Sequence, residues 1–242
     1  MLASIDQPYR DLIIHLLGEF HHYPFERYTP LLTESLRSID NGRHGRFKYL
    51  AVRPVISAED KRSGKIKSGD VLAYPLKALL KERLPGSQVV DTVRKFESRI
   101  YHDPSAALVF VDDYIGTGES VVTVLNEYSP QSHPLAAPPM VVTLVINGVG
   151  LELLRSKNIE VHFAIKTERG ISNSRTLSNV SAAKKLMEDL EDDIVTKEIF
   201  RFGFGQCEDL VKMIRTPNNT FPVFWATKDK DGRPRSAPFP RN

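Results

Sequence analysis

Apolar residues along this chain recur with two different spacings, and the changes between them outline the elements. Between residues 8 and 40, Leu12, Leu16, Leu17 and Phe20, then Leu31, Leu32, Leu36 and Ile39, fall at helical spacing, which predicts helix over this stretch. NGRHGR, 41–46, reads as a turn. FKYLAVRPVI, 47–56, reads as a strand interrupted near its end by Pro54. After the polar, basic loop SAEDKRSGKIKSGD, Ser68 is placed to cap a helix that runs to about Arg83 and stops at LPG.

The next segments alternate more regularly. SQVVDTV (87–93) is a short strand, and the charged connector RKFESRIYHDPS leads into a stronger one, AALVFVDD (106–113). ESVVTVLNEY (119–128) reads as a helix, PMVVTLVING (139–148) as a third apolar strand, GVGLELLRSKN as a helix and IEVHFAI (159–165) as a further strand. Continuous apolar strands alternating with helices predict βαβ units, and so a parallel sheet covered on both faces. Beyond them, SAAKKLMEDLEDD (181–193) is an acidic helix, after which RFGFGQ, TPNNTFPVFW and KDKDGRPR break into short strands and turns. The Asp231-Gly232 pair is a hairpin signal, and the closing SAPFPRN reads as a frayed tail. The organisation expected is an N-terminal helical extension (1–46), an α/β core (47–180) and a C-terminal helix with a hood (181–242).

Composition narrows the class. A length of 242 residues allows a substantial core, and 41% hydrophobic with 26% charged residues is ordinary for a globular chain. No apolar run approaches the roughly 18–20 residues of a membrane span, and the N-terminus has no secretory pattern. The single cysteine, Cys207, cannot form an internal disulfide, which suits a reducing cytoplasm. A net charge of +3 is compatible with anionic small molecules and is too small to argue for nucleic acid. Nor do the N-terminal helices or basic tail show a dense basic face interleaved with aromatics.

The chemistry concentrates in LVFVDDYIGTGES, 108–120. Ligands of a parallel sheet sit beyond the carboxyl ends of its strands, and the apolar run closes at Val111, so Asp112 and Asp113 fall at that edge. Two adjacent carboxylates repel unless something shared offsets their charge. Vicinal sugar hydroxyls with a divalent cation nearby would do so. Gly116, Thr117 and Gly118 let the backbone turn tightly, and Thr117 and Ser120 add hydroxyls where a helix begins and an anion is favoured. Diols held by carboxylates beside a phosphate held by amides describe a ribose 5-phosphate. A Walker A loop is excluded because GTGES and SGKIKS both miss its pattern, and a GxGxxG dinucleotide loop fails at Val121.

These thirteen residues resemble the phosphoribosyl pyrophosphate (PRPP) signature of type I phosphoribosyltransferases. The resemblance implies that fold: a central parallel sheet of about five strands with helices on both faces. It also implies that Asp112 and Asp113 hold the ribose hydroxyls and, through water, Mg2+. The loop of Tyr114, Ile115, Gly116, Thr117, Gly118, Glu119 and Ser120 would hold the 5′-phosphate. Glu119 departs from the pattern as a carboxylate inside the phosphate loop, and should point away. FGFGQCEDLVKMIRTPNNTFPVFW, 202–225, is similar to the C-terminal signature of a phosphoribosyltransferase-like family of bacterial conflict and anti-phage loci, including retron-type systems. That implies a defence effector working with a partner protein or nucleic-acid complex; an oligomer is left open.

Further candidates follow from position in this fold. KRSGKIKSGD gathers Lys61, Arg62, Lys65 and Lys67 after the first core strand, where the fold keeps its pyrophosphate loop. Lys65, Lys67, Ser68 and Gly69 are its strongest candidates, with Lys67 the catalytic point charge; the same run also fits a solvated loop. Arg94, Lys95 and Arg99 lie on the connector before the aspartate strand, as a lid over the leaving pyrophosphate or as plain surface. Phe202, Phe204, Asn218 and Asn219, with Phe221 and Trp225, form either a hood for a planar base or a small core closed by an Asn-Asn turn. His15, His21 and His22 lack companions at metal-ligand spacing. The expected activity is transfer of a phosphoribosyl group from PRPP to a base, nucleotide or macromolecule, or its removal. The alternative is a non-catalytic ribose-phosphate sensor or protein-interaction module on the same fold.

Overall fold

The computed structural model describes residues 6–39, 44–64, 67–90, 97–129 and 134–241. In chain order the helices among them are α1 (Gln7–Gly18), α2 (Tyr28–Ser35), α3 (Ala58–Arg62), α4 (Ser68–Arg83), α5 (Glu97–His102), α6 (Glu119–Tyr128), α7 (Gly148–Ser156), α8 (Val180–Glu191) and α9 (Pro222–Trp225). The strands are β1 (His21–His22), β2 (Tyr49–Pro54), β3 (Gln88–Val90), β4 (Ala106–Ile115), β5 (Met140–Asn147), β6 (Glu160–Thr167) and β7 (Val211–Lys212).

The described residues form two compact units. One comprises Arg27–Ile146 and Gly150–Lys166. It holds a five-stranded parallel sheet in the order β3-β2-β4-β5-β6, flanked by helices, as the alternating pattern predicts. β4 is the central strand, and its first six residues, Ala106 to Val111, are all buried. That burial on both faces is why AALVFV reads as a continuous apolar run and not an alternating one. β5, every residue of it buried, pairs alongside in a register that sets Asp112 against Thr143 and Tyr114 against Val145. Phe110, Val121, Val124, Val141, Leu151 and Leu154 pack in the core between sheet and helices. Burying a side chain such as Phe110 contributes about 1.5–3 kcal/mol.

The other unit comprises residues 1–26, 147–149 and 167–242, so the two chain ends share one core. Leu12, Ile13 and Leu16 of α1 pack with Met187 of α8 and with Phe221 and Phe224. β1 and β7 add a two-residue parallel pairing, His21 with Val211 and His22 with Lys212.

Three local expectations are corrected. The helical run over 8–40 is interrupted, because β1 is drawn out by β7 and a 3-10 turn, Phe25–Arg27, precedes α2. Ser68 is the first residue of α4 and does not cap it; Lys67 takes the cap position, its N–H bonded to Asp70 Oδ2 at 3.1 Å. The tail is packed: Phe239 stacks on Phe20 with ring centres 4.1 Å apart, and its carbonyl accepts from Thr216 Oγ1 at 2.8 Å. The Asp-Gly hairpin forms, with Gly232 at φ 83° and an antiparallel bridge between Lys228 and Pro234.

Candidate functional site

β4 runs two residues beyond the aspartate pair, so Asp112 and Asp113 lie within its last turn of pleat at the carboxyl edge of the sheet. Each is held by a hydroxyl from a distant part of its unit. Ser68 Oγ, in the first turn of α4, donates to Asp112 Oδ1 at 2.9 Å, and the Asp113 N–H reaches the same oxygen at 3.0 Å. Tyr28 Oη, at the start of α2, donates to Asp113 Oδ2 at 2.5 Å. The remaining oxygens, Asp112 Oδ2 and Asp113 Oδ1, take no hydrogen bond among the described residues. Burial, and after it the charge of Asp113, pushes the Asp112 carboxyl above the ordinary carboxylate range; Ser68, the Asp113 N–H and Lys67 pull the other way. The pair therefore holds electrostatic strain that a cation or hydroxyl donors would relieve.

The close approach of α4 depends on Gly69. A Cβ there would meet the Val111 carbonyl oxygen at 2.5 Å, so only glycine lets the first turn of the helix lie on the end of β4. Sequence reasoning singled out Ser68 and Gly69 together with the aspartates, and the structure brings them together. Lys67 sits one residue before this turn, and its Nζ is paired with Asp60 Oδ2 of α3 at 2.9 Å. Lys61 and Arg62 are exposed, while Lys65 lies outside the described residues.

The loop after β4 enters α6 through Gly118 at φ 80°, a left-handed conformation suited to glycine. It is packed from below by α7: a Cβ on Gly150 would meet the Gly116 carbonyl oxygen at 2.3 Å. The N–H groups of Thr117 and Gly118 have no acceptor among the described residues, and those of the first turn of α6 are unbonded within the helix by construction. Ile115 is buried, Tyr114 and Thr117 are half-buried, and Glu119 and Ser120 are exposed. Beside this edge a cavity of about 650 Å³ is lined by Arg53, Pro54, Lys61, Asp70, Glu127 and Tyr128, among others; the aspartates do not line it. The Arg53 guanidinium lies 5.4 Å from the Tyr128 ring centre, and its Nε is buried with no hydrogen bond. Arg53 and Tyr28 were not singled out from the sequence. Arg53 is one basic residue in an apolar strand, and Tyr28 lies in a stretch with no motif around it.

The remaining candidates lie elsewhere. Arg99 stacks at 4.1 Å over the ring of Tyr49, the first residue of β2. That is the amino edge of the sheet, opposite Asp112, so it is not brought to the aspartates; Arg94 and Lys95 lie outside the described residues. Phe202, Phe204, Asn218 and Asn219 belong to the unit that holds the chain ends. There Asn219 Nδ2 donates to the Phe204 carbonyl at 2.9 Å and to Cys207 Sγ at 3.3 Å, and the Asn218 carbonyl accepts from the Phe204 N–H at 2.8 Å. Phe202 meets Phe221 edge-on. In this packing the segment is a small core closed by the Asn-Asn turn.

Comparison with known proteins adds the following. The PRTase-CE family model matches residues 4–241. No curated protein matches the chain. Among solved structures, the chain is similar to the orotate phosphoribosyltransferase of Aeropyrum pernix at 20% identity, over 58% of this chain and 71% of that one, with a TM-score of 0.35. The Mycobacterium tuberculosis H37Rv orotate phosphoribosyltransferase in complex with PRPP is 14% identical over 57% and 70% of the two chains, with a TM-score of 0.31. A hypothetical protein from Neisseria gonorrhoeae with bound ppGpp is 9% identical over 69% and 96%, with a TM-score of 0.38. Among the described residues, no helix is long and apolar enough to cross a membrane.

Proposed function

The chain belongs to the PRTase-CE family, with a type I phosphoribosyltransferase-like fold, and on that premise we propose that it binds PRPP or a related ribose 5-phosphate nucleotide at the carboxyl edge of β4. It transfers the phosphoribosyl group to a base, nucleotide or macromolecule, or removes it. The observation that carries this reading is the meeting of two carboxylates, each with an oxygen to spare, and a loop of unbonded amides at the start of α6. Asp112 and Asp113 accept hydrogen bonds from the ribose hydroxyls. The N–H groups from Thr117 onward, with the Thr117 and Ser120 hydroxyls, receive the 5′-phosphate.

In the reaction, the bond from C1 to pyrophosphate breaks through an oxocarbenium-like centre and a bond from C1 to the acceptor forms. The chain's work is positioning and charge stabilisation. Ser68 and Gly69 offer helix-start amides to the pyrophosphate, and Arg53 and Lys61 line the neighbouring cavity together with Asp70 and Glu127. Lys67 contributes its charge by exchanging Asp60 for the leaving group. Adjacent carboxylates, one of them raised by burial and then by the other's charge, suit a hard divalent cation. Mg2+, held through water by Asp112 and Asp113, would supply neutralisation of the pyrophosphate.

By its resemblance to conflict-system proteins, the chain acts in the cytoplasm as a defence effector restrained by a partner; strong toxicity of the chain expressed alone would count against that restraint. One observation favours the alternative of a non-catalytic sensor: the charge of Lys67 is already neutralised by Asp60. Isotope-labelled PRPP with Mg2+ separates the two. Release of labelled pyrophosphate, much reduced in Lys67→Ala with ribose 5-phosphate binding little changed, is expected of the enzyme. Saturable binding without turnover identifies the sensor, and absence of binding removes both.

A further inference from the structure

At the amino edge of the same sheet, opposite the aspartates, three side chains converge that phosphoribosyl chemistry does not use. His44 lies on the approach to β2, Glu160 is the first residue of β6, and His162 follows two residues later. In a strand, residues two apart point to the same face, so Glu160 and His162 project together. Glu160 Oε1 lies 3.1 Å from His44 Nε2 and 3.4 Å from His162 Nε2. One donor atom from each of the three lies within 4.8 Å of the others. Both imidazoles are almost wholly buried, at 1% and 3% exposure, whereas the Glu160 side chain keeps 25% and so leaves a path from solvent. Ser38 Oγ, just after α2, lies 2.7 Å from His162 Nδ1, fixing the ring with Nε2 toward the carboxylate.

We propose that His44, Glu160 and His162 bind a divalent transition-metal ion of the zinc class. Zinc bonds to imidazole nitrogen and carboxylate oxygen are about 2.0–2.2 Å, which places tetrahedral ligand atoms about 3.3–3.5 Å apart. The separations of 3.1 and 3.4 Å around Oε1 are close to that spacing, and an ion would replace the hydrogen bond that His44 Nε2 now makes with Glu160. Two nitrogens and one oxygen favour zinc over magnesium, which prefers oxygen and retains its waters. This separates the site chemically from Asp112 and Asp113. Three protein ligands leave a fourth position for water. The Ser38 hydroxyl takes the outer role seen around metal-bound histidine, orienting the ring from its other nitrogen. The ion would tie the segment before β2 to the start of β6 and so clamp the base of the sheet.

The test uses the full chain, stripped with a chelator and kept in saturating Mg2+, then titrated with Zn2+ against a chromophoric competitor. One equivalent of tightly bound zinc is expected, with Co2+ giving the visible absorption of a four-coordinate site. Glu160→Gln should lower zinc affinity by roughly a hundredfold or more, and Ser38→Ala, which touches no ligand atom of the metal, by about tenfold. Zinc should raise the unfolding temperature of the wild-type chain and leave that of Glu160→Gln unchanged. Failure of the folded wild-type chain to bind zinc would overturn the proposal, as would equal binding by a folded Glu160→Gln chain. Should that variant not fold, imidazole NMR of the wild type decides: zinc must shift His44 and His162, and shifts confined to the other five histidines would refute the site.

Discussion

The aspartate edge of β4 and the aromatic segment from Phe202 to Trp225 carry similar inventories of polar and aromatic groups, yet they use them in opposite ways. In the aromatic segment the fold takes up much of its own polar capacity. Asn219 Nδ2 has two acceptors, Thr220 Oγ1 donates to the Val211 carbonyl at 2.9 Å, and Trp225 Nε1 donates to the Thr220 carbonyl at 2.8 Å. At the aspartate edge, capacity is left over: each carboxylate retains an oxygen, and two loop amides have no acceptor. The aspartates are nominated by the strand, turn and helix start around them, and the aromatic segment by its residue types and its position in the fold. Unspent hydrogen-bonding capacity is what a polar ligand requires, and more of it remains at the aspartate edge.

The largest effect that would sharpen this contrast is structural. Gly203 has φ 78°, and a Cβ there would lie 2.0 Å from the Asn219 carbonyl oxygen. Gly203→Ala should therefore cost about 3 kcal/mol or more, from backbone strain and displacement of the Asn turn together. Denaturant unfolding measures it. Asp112→Asn, made at nearly constant volume, should cost far less at neutral pH, because burial and the charge of Asp113 already favour the uncharged form that the amide resembles. Equal losses would erase the distinction between the two regions.

A second, smaller effect concerns Glu191, a buried carboxyl in the same unit as the aromatic segment. Its Oε2 accepts from the Phe202 N–H at 2.7 Å, and Oε1 is buried with no hydrogen bond. Burial pushes this group up to about 8, against an ordinary value of 4.5. The folded chain thus binds more protons than the unfolded one between these values, and stability present below about pH 4.5 is lost as pH rises through about 8. Asp112 has the same sign, so the wild type should weaken from pH 5 to pH 8. Glu191→Gln should remove on the order of 2 kcal/mol of that loss. Parallel stability–pH curves for the two chains would show that Glu191 is not held as the neutral acid.

The smallest effect is at Tyr28. Tyr28→Phe removes the hydroxyl on Asp113 Oδ2 and should reduce stability by about 1 kcal/mol, the net scale of one hydrogen bond. It should weaken ribose 5-phosphate binding only modestly, since Asp113 keeps its charge. A loss as large as that of removing Asp113 itself would mean that the hydroxyl, and not the carboxylate, faces the ligand.

Much of the core was legible because its signals are local. The helix read over 119–128 has the observed bounds, and the central strand is read correctly except that it continues through Tyr114 and Ile115. The aspartates and their glycine loop were visible for the same reason: strand, turn and helix start are contiguous. What supports them was only half visible. Ser68 was nominated as a helix start without its bond to Asp112, 44 residues away, and Tyr28 is 85 residues from Asp113. In the cluster of His44, Glu160 and His162, the first two lie 116 residues apart, so no spacing rule reaches it. β1 exists only because β7 pairs with it, and the tail reads as frayed because its anchors lie outside it, Phe239 on Phe20 at the other end of the chain and the Arg241 N–H on the Trp225 carbonyl. Contacts between distant segments depend on the assembled fold, and periodicity is blind to them.

The central claim, that the carboxylates of β4 clamp a ribose, is tested most directly by calorimetric titration of PRPP with Mg2+ into the wild-type chain and into Asp112→Asn combined with Asp113→Asn. The double variant should unfold cooperatively like the wild type, while its binding weakens by at least about 3 kcal/mol, roughly a hundredfold, the scale of two charge-assisted hydrogen bonds. Unchanged affinity in the folded double variant would contradict the assignment.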